Sequence, residues 1–274
     1  MTRGSNQPTI ELNDGRSMPQ FGLGVFQTPP ETTADIVRMA VEDGYRAVDT
    51  AAAYRNEEGV GEALASRDDV FVTTKLWNAD QGYDEALRAF EASARKLGGK
   101  LDLYLIHWPR PRADLYVPSW KALVRLKEEG RVGSIGVSNF NADHLERIIG
   151  ETGVTPAVNQ VELHPRFQQR ALRAVHARLG VRTQSWSPLR RGPLLADPVI
   201  AAVAARHGRT PAQVVIRWHL DSGLIVIPKT VRRERLRENI GALAFQLDVD
   251  DLKAIEGLDS PGGRIGPDPE TAAF

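Results

Sequence analysis

Leu101-Asp102-Leu103-Tyr104-Leu105-Ile106-His107-Trp108, then Trp120–Glu129, then Gly130, then Val132-Gly133-Ser134-Ile135-Gly136-Val137-Ser138-Asn139 is the stretch that decides the fold. Its first run, Leu101–Ile106, is short and apolar, as a strand buried on both faces requires. Trp120–Glu129 spaces its apolar residues helically, and Gly130 follows as a stop signal. Val132–Val137 is a second strand-like run. Strand, helix, strand is the crossover unit of a parallel sheet. The same alternation continues outward in both directions. Tyr45–Val48, Val70–Thr74, Ala157–Val161, Val181–Ser185 and Leu224–Ile227 read as strands, with Phe21–Gly24 a weaker first member. Thr32–Glu42, Glu57–Ala65, Asp84–Lys96, Asp143–Ile149, Arg170–Leu179 and Pro211–Leu220 read as helices. Thr210-Pro211 is a helix start, a hydroxyl cap before a proline, and Gly44, Gly180 and Gly223 are further stops.

An open doubly wound sheet and a closed barrel both suit such a pattern. Eight units within 274 residues favour the barrel. The expectation is an α/β chain folded as a (β/α)8 TIM barrel, residues 1–274 forming a single domain. In front of it, Thr9–Leu12, Asn13-Asp14-Gly15-Arg16 and Ser17-Met18 read as a β-hairpin placed to plug the lower end. The tail from Asp259 to Phe274 is rich in glycine and proline, without helical period. It is a C-terminal loop, either a lid or a frayed terminus.

Composition narrows the function. Lysine plus arginine equals aspartate plus glutamate at 35 each, so the basic excess of a nucleic-acid or membrane-surface binder is missing. There is no cysteine, which excludes disulfides, thiolate nucleophiles and cysteine-ligated zinc. The six histidines show no paired metal-ligand spacing, so no metal is expected. The polar start, Met1 to Pro8, does not read as a signal peptide, and a cytoplasmic monomer is the expectation.

Barrel enzymes carry their chemistry at the carboxyl ends of the strands. Those ends supply in turn Asp49-Thr50 with Tyr54, Lys75 and Trp77, His107-Trp108, Ser138-Asn139, Gln160 with Glu162 and His164, Trp186-Ser187, and Lys229-Thr230. Singly, each has a plainer reading: Asp49 a helix cap, Tyr54 a packed aromatic, His107 a buried satisfied histidine, Lys75 a solvated charge or a Schiff-base amine. Seven in phase point to one shared site. An ammonium beside a phenol stabilises the phenolate and makes the phenol a usable general acid, while a carboxylate holds the ammonium. A neutral histidine can hydrogen-bond a carbonyl oxygen. The set suits protonation of a carbonyl oxygen while a nicotinamide hydride attacks its carbon. Gly59-Val60-Gly61 resembles the start of a dinucleotide fingerprint, but it lies inside a helical segment and position 64 is Leu. The basic stretch Lys229 to Arg237 is the alternative cofactor-phosphate site, or else a solvated helix face.

These residues resemble the aldo-keto reductases over nearly the whole chain. Asp49-Thr50-Ala51-Ala52-Ala53-Tyr54-Arg55-Asn56-Glu57 looks like that family's D-T-A-x-x-Y-x-N-E signature. Thr73–Trp77, Leu103–Trp108, Gly136–Phe140, Asn159–Pro165 and Ile227–Thr230 with Arg235 and Glu238-Asn239 match its later blocks. Within the family, Gly24-Val25-Phe26, Trp186–Leu189 and Arg232–Leu236 are most similar to bacterial 2,5-diketo-D-gluconate reductases. The resemblance implies an NADPH-dependent reductase of small aldehydes or ketones, a keto-sugar acid among them, with Asp49, Tyr54, Lys75 and His107 as the catalytic tetrad. It implies that Ser138, Asn139 and Gln160 bond the nicotinamide carboxamide and that Trp186 stacks on the ring. Ser187 and Leu189 would complete the cofactor's seat. Lys229, Thr230, Val231 and Arg235 would hold the 2′-phosphate, with Glu238 and Asn239 near the adenine. Phe26, Trp77 and Trp108 would line the substrate pocket. Two other classes are weaker readings of the sequence: a non-catalytic cofactor-binding protein, against which the complete tetrad argues, and a lysine-dependent aldolase, disfavoured because Asp49 and Tyr54 beside Lys75 keep its amine protonated.

Overall fold

Strands that carry apolar or small side chains on both faces can be satisfied only between two layers. The computed structural model, which describes residues 7–272, places them there. A two-stranded antiparallel hairpin, β1 (Thr9–Glu11) and β2 (Ser17–Pro19), comes first. The parallel strands follow as β3 (Leu23–Gly24), β4 (Ala47–Asp49), β5 (Phe71–Leu76), β6 (Leu103–Ile106), β7 (Ser134–Ser138), β8 (Val158–Glu162), β9 (Arg182–Trp186) and β10 (Ile225–Val226). They pair in sequence order from β3 to β10. A parallel bridge from Phe21 to Val226, with Gly22 N–H donating to the Val226 carbonyl at 3.0 Å, joins the last strand to the first. The sheet therefore closes as a (β/α)8 barrel.

The helices are α1 (Pro30–Glu42), α2 (Glu57–Leu64), α3 (Tyr83–Lys96), α4 (Tyr116–Glu128), α5 (Ala142–Thr152), α6 (Arg170–Leu179), α7 (Pro198–His207), α8 (Pro211–Asp221), α9 (Arg233–Ile240) and α10 (Val249–Glu256). α8 begins where the sequence indicates. Thr210 accepts from the Gln213 amide, and Gln213 returns the bond to the Thr210 N–H at 3.0 Å. α6 ends on Gly180, whose φ of 73° is open to glycine at little cost. β4, β5, β7, β8 and β9 end one to two residues later than the apolar runs suggest, because polar and aromatic residues of the site belong to their carboxyl ends, whereas β3 and β6 end as read and β10 one residue sooner. α7 and α10 were not read from the sequence. Both announce themselves by aspartate caps, Asp197 and Asp248, and they pack together through Ile200, Val203, Ala204 and Ile255.

The barrel has an apolar end and a polar end. At the amino ends of the strands, Leu12 and Met18 of the hairpin pack with Ala47, Phe71, Leu103, Leu105, Val158 and Ile225, so the hairpin plugs the barrel. Among the described residues no helix is long and apolar enough to cross a membrane.

β7, β8, β9 and α6 are tied by one buried polar group. Asn159 donates from Nδ2 to the Phe140 carbonyl at 2.8 Å and to His176 Nε2 at 2.9 Å, and His176 Nδ1 meets Thr183 Oγ1 at 2.8 Å. Nε2 must accept, so the ring is neutral. Burial, with the Arg173 charge adding, holds His176 down at about 4. The unfolded chain takes up this proton near pH 6.5 and the native state does not, so stability falls as pH drops from about 6.5 to about 4. The loss from this residue is on the order of 3 kcal/mol. Urea unfolding measured between pH 7 and pH 4.5 should show that slope in the wild type and a shallower one in His176→Gln.

Candidate active site

Asp49 closes β4, and the chain then turns through a single 3-10 turn, Ala52–Tyr54, before Arg55 takes a left-handed φ of 56°. This loop is pinned from beneath. Thr50 Oγ1 donates to Asn56 Oδ1 at 2.7 Å, and Asn56 donates to the carbonyls of Val25 at 2.9 Å and Thr28 at 3.3 Å. The Asn of the D-T-A-x-x-Y-x-N-E block is thus a strut that ties the Tyr54 loop to the loop after β3.

Lys75 reaches inward from β5 and is 0% exposed. Its ammonium donates to Asp49 Oδ1 at 2.5 Å and to the Thr50 carbonyl at 2.8 Å, and it lies 5.1 Å from the centre of the Tyr54 ring. Burial opposes the charge, but the Asp49 carboxylate and the Tyr54 hydroxyl outweigh it, and Lys75 is held above the ordinary lysine value. A charged Lys75 is not a Schiff-base nucleophile. His107, just past β6, faces Tyr54 edge-on at 5.7 Å and Trp77 at 5.3 Å. Burial and the Lys75 charge push its pKa well below the ordinary histidine range, so the ring is neutral at physiological pH.

Tyr54 differs from the expectation that its cationic neighbour lowers it. Burial is the larger influence and raises the phenol above its ordinary value, while Lys75 pulls it down and Asp49 pushes it up. The phenol is consequently protonated at rest. The ammonium is the group that would stabilise a phenolate at this position.

Asp49, Tyr54 and His107 line one cavity of about 1110 Å³ that also reaches α3 at Glu85, Arg88 and Lys96, and Lys75 is buried behind the three. Phe26, Trp77, Trp108, Ser138, Asn139, Gln160, Trp186, Ser187 and Lys229 line it too. Asn139 and Ser187 stand just past their strands with left-handed φ of 63° and 50°, conformations tolerated where a site demands them. Trp186 Nε1 donates to Asn139 Oδ1 at 2.8 Å and fixes the indole. Asn139 Nδ2 donates to the His107 carbonyl at 3.0 Å, and Ser138 Oγ to the Gln160 carbonyl at 2.8 Å. Gln160 Nε2 donates across the barrel to Asp49 Oδ2 at 2.6 Å.

The remaining candidates lie apart from that cavity. Leu189 packs against the hydrophobic core. Thr230 is buried, and its hydroxyl accepts the Arg232 N–H at 3.2 Å. Val231, Arg235 and Glu238 form the outer surface beyond Lys229, and Asn239 is buried beside the Tyr45 hydroxyl. The basic stretch sorts itself by its partners. Arg233 pairs with Glu42 at 2.9 Å and Arg237 with Asp43 at 3.1 Å, so these two brace α9 against α1. Arg232 faces Glu234 at 3.8 Å. Lys229 and Arg235 have no ion pair among the described residues. Among the described residues no cluster of three or more histidine, aspartate or glutamate side chains is arranged to hold a metal.

The tail is docked over the site. Glu162, at the end of β8, accepts the N–H groups of Ile265 and Gly266 at 2.7 Å each, and His164 Nε2 lies 3.1 Å away. Burial raises this carboxyl, but the His164 and backbone hydrogen bonds outweigh it and Glu162 stays below its ordinary value. Gly266 and Pro267 line the cavity. A Cβ on Gly266 would overlap both the Trp186 ring and the Glu162 carboxylate, so only glycine passes there. The sequence held Glu162 as a strand-end carboxylate without a role. It gave no sign of Gly266 beyond the glycine-rich tail.

The Aldo/keto reductase family model matches residues 18–260. The chain is similar to an aldo-keto reductase of Mycolicibacterium smegmatis, 55% identical over 97% of this chain and 98% of that one. It is similar to methylglyoxal reductase DkgA of Escherichia coli strain K12, 50% identical over 97% and 98%. Among solved structures it is similar to Gox0644 in its apo form, 59% identical, with a TM-score of 0.97 over 98% of this chain and 99% of that one. A point mutant of Gox0644 in complex with NADPH superposes with a TM-score of 0.96 at the same identity and coverage.

Removing the Glu162 carboxylate should free the tail. Two hydrogen bonds to a charged acceptor contribute roughly 1.5–3 kcal/mol each, so limited proteolysis of residues 259–272 should quicken by at least about tenfold in Glu162→Ala. Circular dichroism should show the barrel intact. An unchanged cleavage rate would mean that other contacts hold the tail.

Proposed function

Because the chain belongs to the aldo/keto reductase family, we propose that it reduces the carbonyl of a small aldehyde or ketone with NADPH, Tyr54 delivering the proton. The observation that carries this reading is a protonated phenol and a neutral imidazole side by side on one cavity wall, backed by a buried ammonium. The proposed enzyme is a cytoplasmic monomer of one domain. The relatives named methylglyoxal reductases make short dicarbonyls the first substrates to assay, with keto-sugar acids beside them.

The residues fit the cofactor. Lys229 and Arg235 are the cations left for a 2′-phosphate, with Thr230 and Val231 between them in the loop. Ser138, Asn139 and Gln160 stand at adjacent strand ends for a carboxamide, and the indole of Trp186 flanks the same cavity. Ser187 and Leu189 shape the turn after Trp186, while Glu238 and Asn239 stand for the adenine side. When bound, the nicotinamide supplies the hydride.

The chain's own residues do the rest. Phe26, Trp77 and Trp108 form an apolar wall that excludes water from the carbonyl. His107 and Tyr54 hydrogen-bond its oxygen, and Tyr54 gives up its hydroxyl proton as negative charge builds there. Lys75 stabilises the phenolate that remains, and Asp49 keeps Lys75 charged and in place.

In Tyr54→Phe, NADPH should still bind, while carbonyl reduction falls to below about a tenth of wild type, a barrier increase of at least about 1.4 kcal/mol. Retained turnover above that level would remove Tyr54 as the acid.

Cofactor choice tests the basic loop. A 2′-phosphate carries nearly two negative charges and a hydroxyl none. Losing one charge-assisted contact of roughly 1.5–3 kcal/mol should weaken NADPH by about ten- to a hundredfold in Arg235→Ala and leave NADH nearly unchanged. Arg233 and Arg237 are engaged with α1 and cannot readily compensate. Dissociation constants from tryptophan fluorescence quenching give the comparison. Equal losses for the two cofactors would make Arg235 a support of the fold.

A further inference from the structure

Gln160 and Gln184 are direct partners across the parallel pair β8–β9, and both side chains enter the barrel lumen. Gln160 Nε2 makes two hydrogen bonds, to Asp49 Oδ2 at 2.6 Å and to Gln184 Oε1 at 2.9 Å. Both amide hydrogens are thus engaged, and the only remaining function of Gln160 is its carbonyl oxygen. Gln160 lines the cavity; Gln184 does not and is 0% exposed. We infer that Gln184 is a positioning residue: it holds the Gln160 amide so that its carbonyl oxygen alone faces the bound cofactor's carboxamide, and it couples that seat to Asp49 of the tetrad. The inference rests on the nicotinamide reading above.

Two observations support it. The orientation of Gln160 is fixed from both sides. A flipped amide would turn its oxygen toward the Asp49 carboxylate and toward Gln184 Oε1, two acceptors at hydrogen-bond distance. Gln184 is also a poor choice for stability. Its own Nε2 is buried with no hydrogen-bond partner among the described residues, a condition that costs free energy in a barrel interior. An apolar side chain of the same length would fill the space without that cost. What Gln184 supplies and methionine cannot is the acceptor for the second Gln160 hydrogen. Without it that hydrogen is unpaired, and Gln160 can leave the Asp49 contact to satisfy it. The result is a continuous chain across the barrel floor, from Gln184 through Gln160, Asp49 and Lys75 to Tyr54.

The test uses the full-length protein and two probes, NADPH and its reduced 3-acetylpyridine analogue, in which an acetyl group replaces the carboxamide and no N–H is offered to Gln160. In Gln184→Met, NADPH should bind about tenfold more weakly and the analogue within about twofold of wild type. The melting temperature should hold or rise. In a Gln160→Met background, Gln184→Met should add nothing to the loss of NADPH affinity, since the acceptor has no partner left to position. If the methionine variant does not fold, Gln184→Leu carries the same comparison. Equal losses for both probes, a lowered melting temperature with unchanged NADPH affinity, or additive effects in the double variant would each overturn the assignment and leave the cofactor reading intact. A wild type that binds neither probe would overturn the cofactor reading, and this inference with it.

Discussion

A lysine ammonium and an aspartate carboxylate share the inside of the barrel, and the polar end of the molecule is arranged around them. Lys75 is 0% exposed, and Asp49 is buried beside it. Taking two ions out of water costs several kcal/mol each, and their attraction returns this only when the remaining donors and acceptors are satisfied. Here the satisfaction is nearly complete. Asp49 receives Lys75 on one oxygen and Gln160 on the other, and Lys75 has the Thr50 carbonyl as well. Such a pair is weak evidence for stability, since an apolar filling would serve a barrel better. Its effect on its neighbours explains its presence: Lys75 helps to keep His107 neutral, and it stands ready to stabilise a Tyr54 phenolate.

The division of the barrel into two ends follows from this constraint. An ion pair inside a lumen needs polar side chains from several strands, and those sit at the carboxyl ends, where the loops can also reach. The opposite end must then supply close packing, which the hairpin does with Leu12 and Met18. The tail repeats the logic at the open end. Glu162 is buried under the tail and satisfied by the Ile265 and Gly266 amides, so a charge at the rim becomes the fastening for the cavity wall.

The alternation of apolar runs and amphipathic segments was legible because a parallel barrel needs strands apolar on both sides, and that pattern has few other uses. The boundaries differ because Asp49, Lys75, Ser138, Glu162 and Trp186 are strand members that look like loop residues. The starts of α7 and α10 are marked in the sequence by Asp197-Pro198 and Asp248, as that of α8 is by Thr210-Pro211. The gathering of the strand-end side chains could be anticipated, since the fold alone brings them together. The direction of the Tyr54 shift could not, because it depends on how far burial outweighs one neighbouring charge. Nor could the choice among the arginines of the basic stretch, which turns on Glu42 and Asp43, nearly two hundred residues earlier in the chain.

That choice is a consequence of how the barrel closes. β3 and β10 are two residues each, and the seam between them is tight: a Cβ on Gly24 would come within 2.9 Å of the Ile227 carbonyl. Gly24 N–H donates to the Pro228 carbonyl at 3.2 Å, after which the chain leaves the ladder. From Lys229 to Arg232 it belongs neither to the sheet nor to α9, so its backbone amides are not committed to a ladder. α9 then starts at Arg233 and is fixed to α1 by the Arg233 and Arg237 ion pairs. On a helix so fixed, Arg235 is exposed and has no ion pair among the described residues. A short loop at the barrel seam, with Lys229 at its start and Arg235 in the first turn of the helix that follows, both without an ion pair among the described residues, is where the proposed cofactor phosphate would meet cations and amides together. The closure of the barrel and the proposed seat of the cofactor phosphate would therefore depend on the same few residues.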